Sequence, residues 1–122
     1  MFPMGWGGQA AGAPAVQQIQ PRVFSEYSNA APVPNCDLHD IYKLTALAGT
    51  ATFGAPWGCP FDGQWLEITV LDNGGAQTLA WNAVYVASGS VALPTATVVS
   101  TLMSIVFQYS LSTRQWVCKG IA

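Results

Sequence analysis

The amino-acid sequence predicts an all-β protein: a compact antiparallel domain over residues 35–122, sandwich-like or jelly-roll-like, behind an extended N-terminal arm over residues 1–34. Three observations carry that expectation. Residues 64–71 set Leu66, Ile68 and Val70 against Glu67 and Thr69, the period of a strand with one buried face. Further short apolar runs recur at close spacing, divided by Gly, Pro, Asn and Ser clusters, as in small sandwiches and barrels. No stretch shows the periodicity of an amphipathic helix.

The first 34 residues differ from the rest. They are rich in Gly, Ala, Pro and Gln, and contain Pro3, Pro14, Pro21, Pro32 and Pro34. Each proline fixes φ and removes a backbone donor, which excludes one regular helix or a central strand. A disordered tail is one reading of this composition. Phe2, Trp6, Ile19, Val23, Phe24 and Tyr27 favour another, because solvating tails usually avoid large apolar residues. Sparse anchors on a proline-stiffened chain suit docking into grooves on a neighbour. Phe2, Trp6, Phe24 and Tyr27 are the docking candidates.

Within residues 35–122, Ile41–Leu47 reads as a first strand ended by Ala48-Gly49, and 50–53 as a short second one. Two prolines and two glycines make residues 55–63 a loop. The alternating strand 64–71 runs into Asp72-Asn73-Gly74-Gly75. Asn-Gly supplies the positive φ angles of a tight hairpin, so Ala76–Trp81 is expected to return as its partner. Val84-Tyr85-Val86 continues the return strand or starts another, and Val91–Pro94 is a short edge segment. A final hairpin joins residues 102–109 to 115–119 through Ser110–Thr113. It places Met103, Ile105, Phe107 and Tyr109 on one face, and Trp116 with Cys118 opposite Val117 with Lys119.

Composition narrows the function. Apolar residues make up 51% and charged residues 8% of the chain, against about 25% charged in an ordinary soluble domain. No Asp, Glu, Lys or Arg lies between Asn73 and Thr113. So uncharged a surface is expected to be covered by other chains, here as a homotrimer. No membrane span is expected: Gly74, Gly75 and Pro94 interrupt the run, and Val98–Phe107 is about half of the ~20 residues a helix needs. Met1–Trp6 lacks the basic and long apolar regions of a secretory signal. The net charge of −2 and the scattered Arg22, Lys43, Arg114 and Lys119 argue against nucleic acid, which needs clustered cations.

Machinery for chemistry is sparse. His39 is the one histidine, so any Ser-His-Asp or Cys-His arrangement must use it. It lies three residues after Cys36 and between Asp37 and Asp40, but no second pair completes a tetrahedral metal site. Asp62 and Asp72 precede Gly and Asn-Gly, where Asp serves local hydrogen bonding. Gly5-Trp6-Gly7-Gly8 lacks the context and the lysine of a phosphate loop. No catalytic residue, metal or cofactor is therefore expected. The odd count of Cys36, Cys59 and Cys118 is not a disulfide framework; free thiols are expected, with a disulfide as the alternative. Among five tryptophans, Trp57 and Trp65 border a loop and are candidates for stacking on a ligand such as a sugar, against ordinary packing.

The stretch Leu44–Trp116 resembles a β-module of tailed-bacteriophage virion proteins, found in tail-fibre, tail-spike-associated and head-surface proteins. Leu44-Thr45-Ala46-Leu47, Phe53-Gly54-Ala55-Pro56, Asp62-Gly63-Gln64 and Leu66–Val70 carry the likeness. Asp72-Asn73-Gly74, Trp81-Asn82-Ala83-Val84-Tyr85, Ala87-Ser88-Gly89, Leu93-Pro94-Thr95, Thr97-Val98, Phe107-Gln108-Tyr109 and Trp116 continue it in order. Members often carry Lys or Arg where Thr69 and Val70 stand, and again after the Tyr85 position; this chain has lost those charges. The resemblance implies a virion location and transfers no catalytic residue. An arm followed by a knob implies a non-enzymatic capsid decoration (cement) protein, assembled in the host cytoplasm. Its partners would be its own copies and the major capsid protein or another virion protein. The alternative is a short tail-fibre, tail-tip or adaptor component with receptor or glycan contact.

Overall fold

The computed structural model describes residues 20–122. Eight strands follow one another: β1 (Val23–Glu26), β2 (Ile41–Leu47), β3 (Ala51–Phe53), β4 (Trp65–Asp72), β5 (Leu79–Trp81), β6 (Tyr85–Val86), β7 (Met103–Ser110) and β8 (Gln115–Ile121). Among the described residues there is no helix. The protein is all-β, as its alternation predicts. Six strands form one sheet in the order β1-β2-β4-β7-β8-β6, and β3 with β5 forms a second.

Alternation decides which face each strand buries. Leu66, Ile68 and Val70 of β4, Ile105 and Phe107 of β7, and Trp116 and Cys118 of β8 enter one core, while Lys119 stays exposed. Ala51, Phe53 and Leu79 come from the small sheet into the same core, so the two sheets share one interior. Aromatic rings join them. Phe53 stacks on Trp81 at 4.5 Å, and both Trp81 and Tyr85 lie against Phe107 at 5.5 and 5.1 Å. Such offset and edge contacts stabilise beyond the area they bury. The buried Tyr85 hydroxyl donates to the Gly54 carbonyl at 2.9 Å.

Pairing departs from the expected antiparallel plan. β1 with β2, β2 with β4, β3 with β5 and β6 with β8 are parallel; β4 with β7 and β7 with β8 are antiparallel. The expected terminal hairpin is present as β7 and β8. The hairpin expected at Asn73-Gly74 is not. The turn forms, with Gly74 at φ 109°, but β5 leaves the sheet and pairs with β3 in the other layer. Asp72 gives the reason. Its buried carboxylate accepts from the Gly74 N–H at 3.0 Å, the Ser100 N–H at 2.9 Å and the Thr97 hydroxyl at 2.9 Å. The turn is thereby tied to a distant loop, and the place beside β4 goes to β7, whose eight residues carry a longer apolar face. Val91 and Leu93 pack on the core from a loop, not from the edge strand expected there.

The boundary expected at residue 34 also moves. Val23–Glu26 is the edge strand of the main sheet, in register with Ile41–Leu44. Beyond it, the carbonyls of Tyr27, Ala30, Pro32 and Pro34 accept from the N–H groups of Ala46, Thr52, Gly54 and Trp57 at 2.8–2.9 Å. Pro32 and Pro34 are fully buried. At Pro32 and Pro34 the chain offers only carbonyls and needs no N–H, which is how the prolines sit inside it. Residues 23–34 therefore belong to the folded unit.

Deleting residues 1–34 is expected to abolish cooperative thermal unfolding, because β1, Pro32 and Pro34 are lost together. Deleting residues 1–19 is expected to leave a single cooperative transition. Calorimetry of the two truncations checks this. The Ser100 N–H, then the Gly74 N–H and the Thr97 hydroxyl, hold the Asp72 carboxyl below the usual carboxylate range. A depressed folded pKa contributes stability above the unfolded pKa that is lost as pH falls through the folded one. Asp72→Asn should therefore lower the urea midpoint at pH 6, and its deficit against the unsubstituted chain should shrink as pH falls below about 4.

Candidate functional site

The described surface with most to offer a partner lies on the outer face of the main sheet, at the end where β1, β2 and β4 begin. There a groove of about 780 Å³ is lined by Pro21, Arg22, Asp40, Ile41, Phe61, Gln64, Trp65, Glu67 and Val106. The registers explain the grouping. Val23 pairs with Ile41, Ile41 with Glu67, and Glu67 with Val106, so one row of residues crosses four strands on one face. Trp65, at the start of β4, is 53% exposed, and Phe61, on the preceding loop, is 67% exposed. Both are walls of the groove, and the described residues leave both exposed.

Polar groups around the groove are engaged within the chain. The Arg22 guanidinium donates from Nη2 to Asp40 Oδ1 at 2.9 Å and from Nη1 to the Asp37 carbonyl at 2.6 Å. The Arg22 backbone N–H donates to Asp40 Oδ2 at 2.8 Å. The Arg22 side chain, then its backbone N–H, hold the Asp40 carboxyl below its ordinary value. Gln64 donates from Nε2 to the Cys36 carbonyl at 2.8 Å and accepts the Phe61 N–H at 3.1 Å. Glu67 accepts the Ser104 hydroxyl.

The residues singled out in the sequence separate. Phe2 and Trp6 lie outside the described residues. Phe24 faces its own domain, stacked on Tyr42 at 5.3 Å and 5.0 Å from the His39 ring. It is half-buried, so part of the surface counted toward docking is spent inside the chain. Tyr27 is 81% exposed and stays available. Trp57 is 68% exposed, but its backbone pairs with Asn35 and it does not line the groove with Trp65. Phe61 was missed. Its signal was its position four residues before Trp65, across Asp62-Gly63, where a turn brings the two together.

The residues around His39 also go separate ways. The Cys36 thiol donates to the Trp57 carbonyl at 3.0 Å, Asp37 accepts the Cys59 N–H at 2.9 Å, and Asp40 holds Arg22. Among the described residues no three His, Cys, Asp or Glu side chains are grouped to hold a metal ion. Cys36 and Cys118 are buried free thiols and Cys59 an exposed one; burial pushes the first two up in pKa. A Cβ on Gly58, which sits at φ 106°, would lie 2.7 Å from Asp37 Cγ, so this crossing needs glycine.

No protein-family model matches the chain, and no curated protein is significantly similar to it.

Because the described residues leave Phe61 and Trp65 open to solvent, Phe61→Ala and Trp65→Ala in the chain lacking residues 1–19 are each expected to change unfolding free energy by about 0.5 kcal/mol or less. Phe107→Ala, in the core, should cost about 3–5 kcal/mol. Urea denaturation of the three variants distinguishes displayed aromatics from packed ones.

Proposed function

We propose that the chain is a non-enzymatic structural protein of a tailed-bacteriophage particle, a capsid decoration protein whose knob trimerises on the head surface and whose N-terminal segment attaches it. The observation that carries this reading is the mismatch between surface and charge. The described residues leave Tyr27, Trp57, Phe61, Trp65, Val98, Val99, Leu102 and Leu111 at least half exposed, on a chain that is 8% charged. So many exposed large apolar side chains with so few charges to keep the chain dispersed favour a surface covered by other chains. Two ordered features support a scaffold over a catalyst: the buried aromatic cluster and the internally engaged polar groups.

With residues 23–34 built into the knob, the attaching part shortens to residues 1–19, with Phe2 and Trp6 as its aromatic anchors. Tyr27 adds an exposed contact where the knob begins. Burying a large side chain contributes about 1.5–3 kcal/mol, and each 1.4 kcal/mol is tenfold in affinity. Two anchors therefore correspond to a loss on the order of a hundredfold when both are truncated.

The test adds purified protein to particles lacking it. Full-length chain should saturate at hundreds of copies per particle, and deletion of residues 1–19, or Phe2→Ala with Trp6→Ala, should weaken binding about a hundredfold. Saturation at a dozen copies or fewer would place the protein in the tail. Undiminished binding by the truncated chain would show that the knob attaches alone.

A further inference from the structure

The groove between Phe61 and Trp65 is mainly apolar and open to solvent among the described residues. Its lining narrows what would fit it. Arg22 and Asp40 hold each other, Gln64 bridges the Cys36 carbonyl and the Phe61 N–H, and Glu67 takes the Ser104 hydroxyl. These polar groups are already partly engaged within the chain, whereas the remaining lining, from Pro21, Ile41, Phe61, Trp65 and Val106, is mainly apolar. An uncharged apolar segment fits that lining best.

We infer that the occupant is the chain's own N-terminal segment, residues 1–19. Two facts point to it. The segment contains no Asp, Glu, Lys, Arg or His, and it carries Met1, Phe2, Met4 and Trp6. It also joins the described fold at Gln20, one residue before Pro21 and two before Arg22, both on the rim of the groove. A tethered segment this short meets its site at an effective concentration on the order of mM. At up to ~3.3 Å per residue, the residues between Trp6 and Pro21 reach far beyond the groove, and Gly7, Gly8, Gly12 and Pro14 permit the chain to reverse. One contact removes the anchors and the groove from water together. This deepens the reading of residues 1–19 as an attachment arm. Before attachment the arm is seated on its own knob, and binding to the particle requires that it leave.

The experiment uses the full-length protein with no particle present, so its failure is separate from failure of the attachment reading. A benzophenone amino acid replaces Trp6, the sample is irradiated, and crosslinked peptides are mapped by mass spectrometry from bands separated on a denaturing reducing gel. The expected result is a crosslink from position 6 to peptides holding Ile41, Phe61, Trp65 or Val106, in the band of single-chain mass. The same crosslink in the band of double mass would give the groove to a second copy and overturn the assignment. Crosslinks elsewhere, or none, would overturn it as well. The Phe61→Ser, Trp65→Ser double variant, whose substituted side chains are exposed and whose fold is checked by circular dichroism, should lower the yield at least tenfold. Undiminished crosslinking in that variant would also contradict the proposal.

Discussion

From Arg22 to Pro34 the chain presents carbonyl oxygens, one after another, to donors on the elements beside it. Arg22 accepts from Asp40 and Ile41, Tyr27 from Ala46, Ala30 from Thr52, Pro32 from Gly54 and Pro34 from Trp57, at 2.8–3.1 Å. The row ends when the Cys36 N–H donates back to the Trp57 carbonyl at 2.9 Å. Buried backbone groups must find partners, and here the donors of β2, β3 and the loop after β3 find theirs on a single proline-containing strip. Side chains reinforce it. Tyr42 donates its hydroxyl to Glu26, the Ala48 N–H meets Ser28 Oγ at 3.0 Å, and burial together with the Glu26 contact raises the Tyr42 phenol above its ordinary pKa.

Much of the molecule depends on this strip. Its β1 pairs with the outer side of β2, which would otherwise display unpaired groups to neighbouring chains. The strip also holds the loop bearing Trp57 against residues 35–37, which leaves that indole exposed and the Cys36 thiol buried. At its beginning, the pairing of Arg22 with Asp40 brings Pro21 beside Ile41 and so forms one side of the Phe61–Trp65 groove. The groove is thus a by-product of where the strip starts. Its apolar character follows from polar neighbours that are already engaged by the same packing.

Parts of this were legible in the sequence because period-two alternation encodes burial directly. β4, β7 and β8 read true for that reason, down to Trp116 and Cys118 facing in and Lys119 facing out. Partners were not legible. Asn73-Gly74 signals a reversal of direction, a local property, but Asp72 is bound to Thr97 and Ser100, and nothing local shows that. The parallel pairs join segments far apart in sequence, and the bulge between Leu44 and Leu47 buries two leucines three residues apart, which simple alternation forbids. The prolines misled for a physical reason: they exclude positions that must donate, and Pro32 and Pro34 stand where the chain only accepts. Of the site, Trp65 was legible as a displayed aromatic. Phe61 was hidden in a loop that carries no periodicity.

The most direct test of this account is native-state hydrogen exchange on the full-length chain, read residue by residue. If the strip is part of the folded unit, the amides of Ala46, Thr52, Gly54 and Trp57 should exchange as slowly as those of β4 and β7, through global unfolding. Exchange of those four amides at rates typical of exposed loops, with β4 and β7 still protected, would contradict it: residues 23–34 would then be an arm resting on a domain complete without them.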